Sequence, residues 1–151
     1  MHAGRGCRRK TDCTPSLSSS NSQRMNSQPT LLNWITCDGV HIDPSTGKHT
    51  LLGVFSSIGS NRFPITYPFM VWFLTVTNVS AGEHKLRISF GETPETVQPL
   101  LERPFVSQDL KHRVNLINEV SNLVFPKSSD YAIVVEIDDQ VVLKTSMPVL
   151  S

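Results

Sequence analysis

From Leu31 onward, short apolar runs rich in Val, Ile, Phe and Thr are separated by clusters of Gly, Pro, Asn, Asp and Ser, the punctuation of strands and turns. Residues 31–42 predict a first strand. The turn Asp43-Pro44-Ser45-Thr46-Gly47-Lys48 follows, with Pro44 presetting φ and Gly47 free to take a positive one, so residues 49–58 should fold back antiparallel as a second strand. Residues 69–77 read Phe-Met-Val-Trp-Phe-Leu-Thr-Val-Thr, apolar on both faces, as in a central strand covered on each side. After a turn over residues 78–83 the pattern alternates, with His84, Leu86, Ile88 and Phe90 on one face and Lys85, Arg87 and Ser89 on the other. Residues 91–109 hold Pro94, Pro99 and Pro104, which cannot donate to a ladder, and read as at best an edge strand with irregular flanks.

Residues 111–120 alternate again, placing His112, Val114, Leu116 and Asn118 together, and Tyr131, Ile133, Val135 and Ile137 share a face in the next run. An Asp138-Asp139-Gln140 turn leads to a last strand over residues 141–147. About seven or eight short strands with regular turns and no helix point to an all-β, immunoglobulin-like antiparallel β-sandwich over residues 31–151. Trp72, Phe73, Ile88, Phe90, Val114, Leu116, Ile133 and Val135 should be buried, with Trp34 also in the core. The turn before Tyr131 places that side chain where a tyrosine corner would bond nearby backbone.

Residues 1–30 differ in kind. They are rich in Ser, Arg, Asn and Gln, too polar to offset the entropy of ordering, and predict a disordered basic tail, with Met25 a candidate start of the native protein. An organelle transit peptide, or a metal site using Cys7 and Cys13, is the alternative; a lone pair of thiols falls short of the four donors of structural zinc. Arg5, Arg8, Arg9, Lys10 and Arg24 against Asp12 give residues 1–24 a charge of +4, so a chain of net +1 leaves −3 for the rest. That balance offers phosphates nothing and argues against nucleic-acid binding by the domain. No apolar run approaches the roughly 20 residues of a membrane-spanning helix. Of the 3 cysteines only Cys37 lies in the patterned region, where it has no internal disulfide partner, and this favours a reducing cytoplasm.

The segment Ile35-Thr36-Cys37-Asp38-Gly39-Val40-His41-Ile42-Asp43, then Thr46-Gly47-Lys48-His49-Thr50-Leu51-Leu52-Gly53-Val54-Phe55 and Phe63-Pro64, resembles a family of small, single-domain bacterial β-sandwich proteins known only as a domain of unknown function. Phe125-Pro126, Tyr131 and Ile137-Asp138-Asp139 resemble the ending of many immunoglobulin-like folds. The resemblance spans residues 32–149. It implies the sandwich and a bacterial cytosolic setting, and brings no catalytic residue and no cofactor.

Chemistry-bearing residues are sparse. His41 and His49 flank the first turn and could share a metal with Asp43 or Cys37, but two imidazoles are not a ligand set, and ordinary strand-end residues account for them. Cys37 beside Asp38 lacks the cation that would lower a thiol pKa, and reads as a small core residue beside a bend at Asp38-Gly39. His112 reads as a satisfied strand-end histidine. Nucleophile-elbow, phosphate-loop and zinc-protease patterns are missing from the sequence. The expected function is therefore a non-catalytic interaction or accessory module whose partner is another protein. The alternatives are a hydrolase or metal-dependent enzyme assembled from loop residues, and a sugar-binding sandwich, for which Trp34 and Trp72 would have to be exposed. A partner site is placed on residues 60–68, at Arg62, Phe63, Ile65 and Tyr67, where aromatic side chains sit on a backbone stiffened by Pro64 and Pro68 and held out of any ladder. The competing reading has Phe63 and Ile65 capping the core where the chain changes sheets.

Overall fold

A computed structural model describes residues 28–151. The described residues form ten strands: β1 (Thr30–Cys37), β2 (Gly39–Ile42), β3 (His49–Leu52), β4 (Ile58–Gly59), β5 (Ile65–Thr77), β6 (Gly82–Gly91), β7 (Gln98–Ser107), β8 (Val114–Phe125), β9 (Ser129–Ile137) and β10 (Gln140–Leu150). They make a three-stranded sheet, β1-β5-β8, a five-stranded sheet, β4-β10-β9-β6-β7, and the two-stranded hairpin β2-β3. Only β4 and β10 pair in parallel; every other pairing is antiparallel.

The two larger sheets face each other across one core. Alternate residues of β5 (Met70, Trp72, Leu74, Val76) and of β8 (Val114, Leu116, Val120) meet Leu86 and Ile88 of β6, Tyr131, Ile133, Val135 and Ile137 of β9, and Met147 and Val149 of β10. Of the residues expected inside, all but Phe90 and Trp34 are buried; Phe90, half-buried, stacks at 5.5 Å on Tyr131 along the margin of the core. Trp34 is half-buried too, its ring centroid 5.5 Å from that of Trp72.

The other residues of β5 explain why that strand is apolar on both faces. Cys37, Val71 and Phe73 form a second cluster on the outer face of the three-stranded sheet, under Val40 and Leu51 of the hairpin. His49 contributes to this cover, its ring 5.7 Å from that of Phe73.

Several boundaries differ from the sequence pattern for identifiable reasons. The expected first strand breaks at Asp38, whose N–H donates to the Leu52 carbonyl at 2.8 Å, so the chain leaves the sheet and becomes β2 above it. The second expected strand ends at Leu52, because Gly53 takes φ +66° with the Asp38 carboxylate packed where a Cβ would stand. Past that turn Phe55 makes a single antiparallel bridge to Thr36, and Ile58 and Gly59 pair with β10. The proline-bearing stretch is a true strand, β7, at the edge of its sheet, with Pro94 in a 3-10 turn. Residues 111–113 stay outside β8, which runs on to Phe125, and β10 extends to Leu150. The tail expected over residues 1–30 falls outside the described residues as far as 27, and Thr30 already pairs with Thr77.

Candidate functional site

The residues singled out for a partner lie where the chain passes from β4 into β5. Arg62 is exposed, in a turn closed by Ser60, whose Oγ accepts from the Arg62 N–H at 3.1 Å and donates to the Arg62 carbonyl at 2.8 Å. A cis peptide joins Phe63 to Pro64. The expectation that the prolines keep this segment out of a ladder is overturned for its second half: Ile65, Thr66 and Tyr67 pair with Phe125, Val124 and Leu123 of β8. The reason is geometric, since Pro64 precedes the first paired residue and Pro68 sits between paired neighbours, neither blocking the amides of 65–67. Phe63, Ile65 and Tyr67 are half-buried against the main core. Of the four residues, then, three pack inward and Arg62 alone faces solvent.

Tyr67 connects this corner to an open seam between the sheets. Its ring lies 5.7 Å from that of Phe55, and burial raises its phenol pKa, with the nearby Asp38 charge adding to the effect. The Phe55 N–H donates to the Thr36 carbonyl at 3.0 Å, and the Thr36 hydroxyl donates back to the Phe55 carbonyl. Phe55 is thereby fixed against β1. With Trp34, Val54 and Met147 it lines a groove of about 240 Å³ between β1 and β10. On the groove side β10 is paired among the described residues only at Val149 and Leu150, by β4, while residues 143–148 are paired by β9 alone. The N–H and C=O groups that alternate residues ahead of Pro148 point away from β9 lie on the groove side without a neighbouring strand.

Residues 32–150 match the family model described as "Family of unknown function (DUF6941)". The chain belongs to that family. Comparison with curated proteins gives no match. Among solved structures the DUF6941 domain is similar to the sensor domain of the anti-sigma factor RsgI4 of Pseudobacteroides cellulosolvens, at 14% identity over 58% of this chain and 80% of that one, with a TM-score of 0.39.

The other candidate chemistry in this DUF6941 domain is dispersed. His41 stands opposite Thr50 and His49 opposite Ile42, so the two imidazoles lie on opposite faces of the hairpin and do not converge. Cys37 is fully buried, its thiol contacting the Gly39 carbonyl at 3.5 Å; burial raises its pKa, and Asp38 raises it further. His112 accepts a hydrogen bond from the Gln108 N–H at 3.0 Å. Among the described residues no group of three or more His, Cys, Asp or Glu side chains could hold a metal ion.

Two polar clusters were not legible beforehand. Arg87 donates to Glu102 at 2.9 Å, Asp139 at 2.8 Å and Glu136 at 3.2 Å, and these bonds hold its pKa above the usual arginine value. His84 sits between Asp138, 2.5 Å from Nδ1, and the Ser80 carbonyl, 2.8 Å from Nε2. Burial of the ring opposes its charge, but the bonds to Asp138 and Ser80 prevail and raise its pKa. Period-2 alternation places Lys85 and Arg87 on one face, as expected; their partners lie 15 to 53 residues away in sequence, which no local pattern encodes.

Proposed function

We propose that this DUF6941 domain is a non-catalytic, immunoglobulin-like interaction module that takes an extended segment of another protein along the free side of β10. The observation carrying this reading is the partial lane beside β10: β4 fills it at Val149 and Leu150, and the stretch ahead of it lies open next to a groove lined by Trp34, Val54 and Phe55. Strand addition needs such a row of outward backbone groups for affinity and adjoining apolar pockets for specificity. The aromatic corner supports the groove through Tyr67 and Phe55, and Arg62 stands exposed at the same end of β5. The immunoglobulin-like reading is supported by the strand order β1-β5-β8 against β10-β9-β6 and by the bonding of Tyr131 at the start of β9. A cytoplasmic setting belongs to the same proposal, supported by the free Cys37 thiol. No helix among the described residues is long and apolar enough to cross a membrane.

The test is site-directed photo-crosslinking in cells. A crosslinking side chain at Val54, 62% exposed, should capture one protein, and the same group at exposed Glu95 should not. Val54→Asp should abolish binding of that protein with the melting temperature unchanged. Equal capture at both positions, or binding untouched by Val54→Asp, would reject the groove.

A further inference from the structure

The opposite side of the sandwich carries a seam of different chemistry. There β7 and β8 are the last strands of their sheets, and neither is paired on its outer side among the described residues. The seam is bridged by Arg103 of β7, whose Nη1 donates to the Ile117 carbonyl of β8 at 2.8 Å and lies 3.4 Å from the Asn118 side-chain oxygen. Beside it is an open cleft of about 260 Å³ lined by Leu101, Arg103, Ile117, Asn118 and Glu119.

Arg103 is unusual among the cations. Arg87, also half-buried, touches three carboxylates, and Lys85 lies 4.0 Å from Asp139, whereas Arg103 forms no ion pair among the described residues. The other Lys and Arg side chains without an acidic partner among the described residues are exposed, so Arg103 is the half-buried cation without a counter-charge. Among the described residues its Nε and Nη2 find no acceptor, leaving the fork edge that matches a carboxylate in a bidentate contact.

The adjacent backbone is also arranged to receive a strand. In an antiparallel ladder both polar groups of one residue point to the same side, and the side alternates along the strand. Because the Ile117 carbonyl points away from β5 to meet Arg103, the groups of Asn115 and Glu119 point outward as well. Unlike β7, with Pro99 and Pro104, β8 carries no proline along this edge.

We infer that the β7–β8 seam binds an extended peptide segment of a partner protein, added as a strand to β8, with one of its Asp or Glu side chains held by Arg103. The carboxylate supplies the missing counter-charge, and Leu101 and Ile117 provide apolar contact beside it. Glu119 at the rim disfavours a second acidic side chain next to the first, so the preferred segment carries an isolated acid among apolar or small residues.

The experiment is an NMR titration of the full isotope-labelled chain with the capped peptide Ser-Val-Glu-Val-Ser-Lys and its Gln counterpart. The Glu peptide should shift the Arg103 Nε–H and the amides of Leu101, Ile117 and Glu119, and slow hydrogen exchange at Ile117. The Gln peptide should bind about tenfold more weakly, the worth of one charge-assisted contact. Arg103→Gln should remove the difference between the peptides, and Arg103→Lys should restore part of it. The peptide pair tests the idea on the unaltered protein even if an Arg103 variant fails to fold. Equal affinity for the two peptides, shifts confined to the β1–β10 groove, or no shift at about 5 mM peptide, several times a weak Kd of about 1 mM, would overturn the inference.

Discussion

Tyr131 shows how a single side chain fastens a strand to the turn before it. Its hydroxyl donates to the Lys127 carbonyl at 2.7 Å and accepts from the Lys127 N–H at 3.1 Å, while its ring packs edge-on to Phe125 at 5.0 Å. Tyr131→Phe should keep the packing and lose about 0.5–1.5 kcal/mol in denaturant unfolding, the net worth of a hydrogen bond, or somewhat more because a backbone donor and acceptor are both left unpaired. An unchanged midpoint would mean that water replaces the hydroxyl at no cost. This contact was legible in the sequence, because the turn and the tyrosine are neighbours. His84 was not, since Asp138 lies 54 residues away. The folded pKa of His84 is raised above its unfolded value near 6.5, so its contribution to stability is complete below about pH 6.5 and is lost as pH rises through the higher folded pKa. His84→Gln should therefore reduce the gain in melting temperature seen between pH 8.5 and pH 6, by a few degrees at most, about what a fraction of a kcal/mol moves a domain of this size. An identical pH profile in the variant would show that the pair titrates as it does in the unfolded chain.

At the scale of elements, the sequence pattern was read best where one face of a strand is buried. Leu86 and Ile88 alternate with Lys85 and Arg87, Val114 and Leu116 with Asn115, and Ile133 and Val135 with Val134, and each set lies on the expected side. The pattern failed where a strand is interrupted by a side-chain event. The apolar character of residues 31–42 continues across Asp38, yet the chain changes layers there because Asp38 and Gly53 lock together. Hydrophobicity records that both halves are covered and is silent on what covers them. Residues 60–68 failed in the opposite sense: prolines suggested a loop, while β8 extends far enough to pair with 65–67. Neither seam was visible, because a seam is a property of which strands lie last in their sheets, and strand order is set by contacts distant in sequence.

At the scale of the molecule there are two apolar compartments of unequal strength, and their difference has a measurable consequence. The main core joins eight strands, whereas the outer cluster rests on a hairpin of four residue pairs that hydrogen-bonds as a ladder only within itself. An isolated hairpin is marginal in water, so β2-β3 is held chiefly by Val40, Leu51 and His49 lying on Ile35, Val71 and Phe73. Local opening of the hairpin should therefore require less free energy than global unfolding. Cys37 makes this testable, being fully buried beneath the hairpin at the point where β1 gives way to β2. In a Cys7→Ser, Cys13→Ser chain, a thiol reagent should label Cys37 under native conditions, with an opening free energy about 2 kcal/mol or more below that of unfolding and only weakly dependent on denaturant, as expected for exposing little surface. Amides of Leu74 and Ile133 in the same protein should exchange only through global unfolding. If Cys37 reacts no faster than those amides exchange, and with the full denaturant dependence of unfolding, the hairpin and the sandwich open as one unit, and the outer cluster must be counted as part of the core.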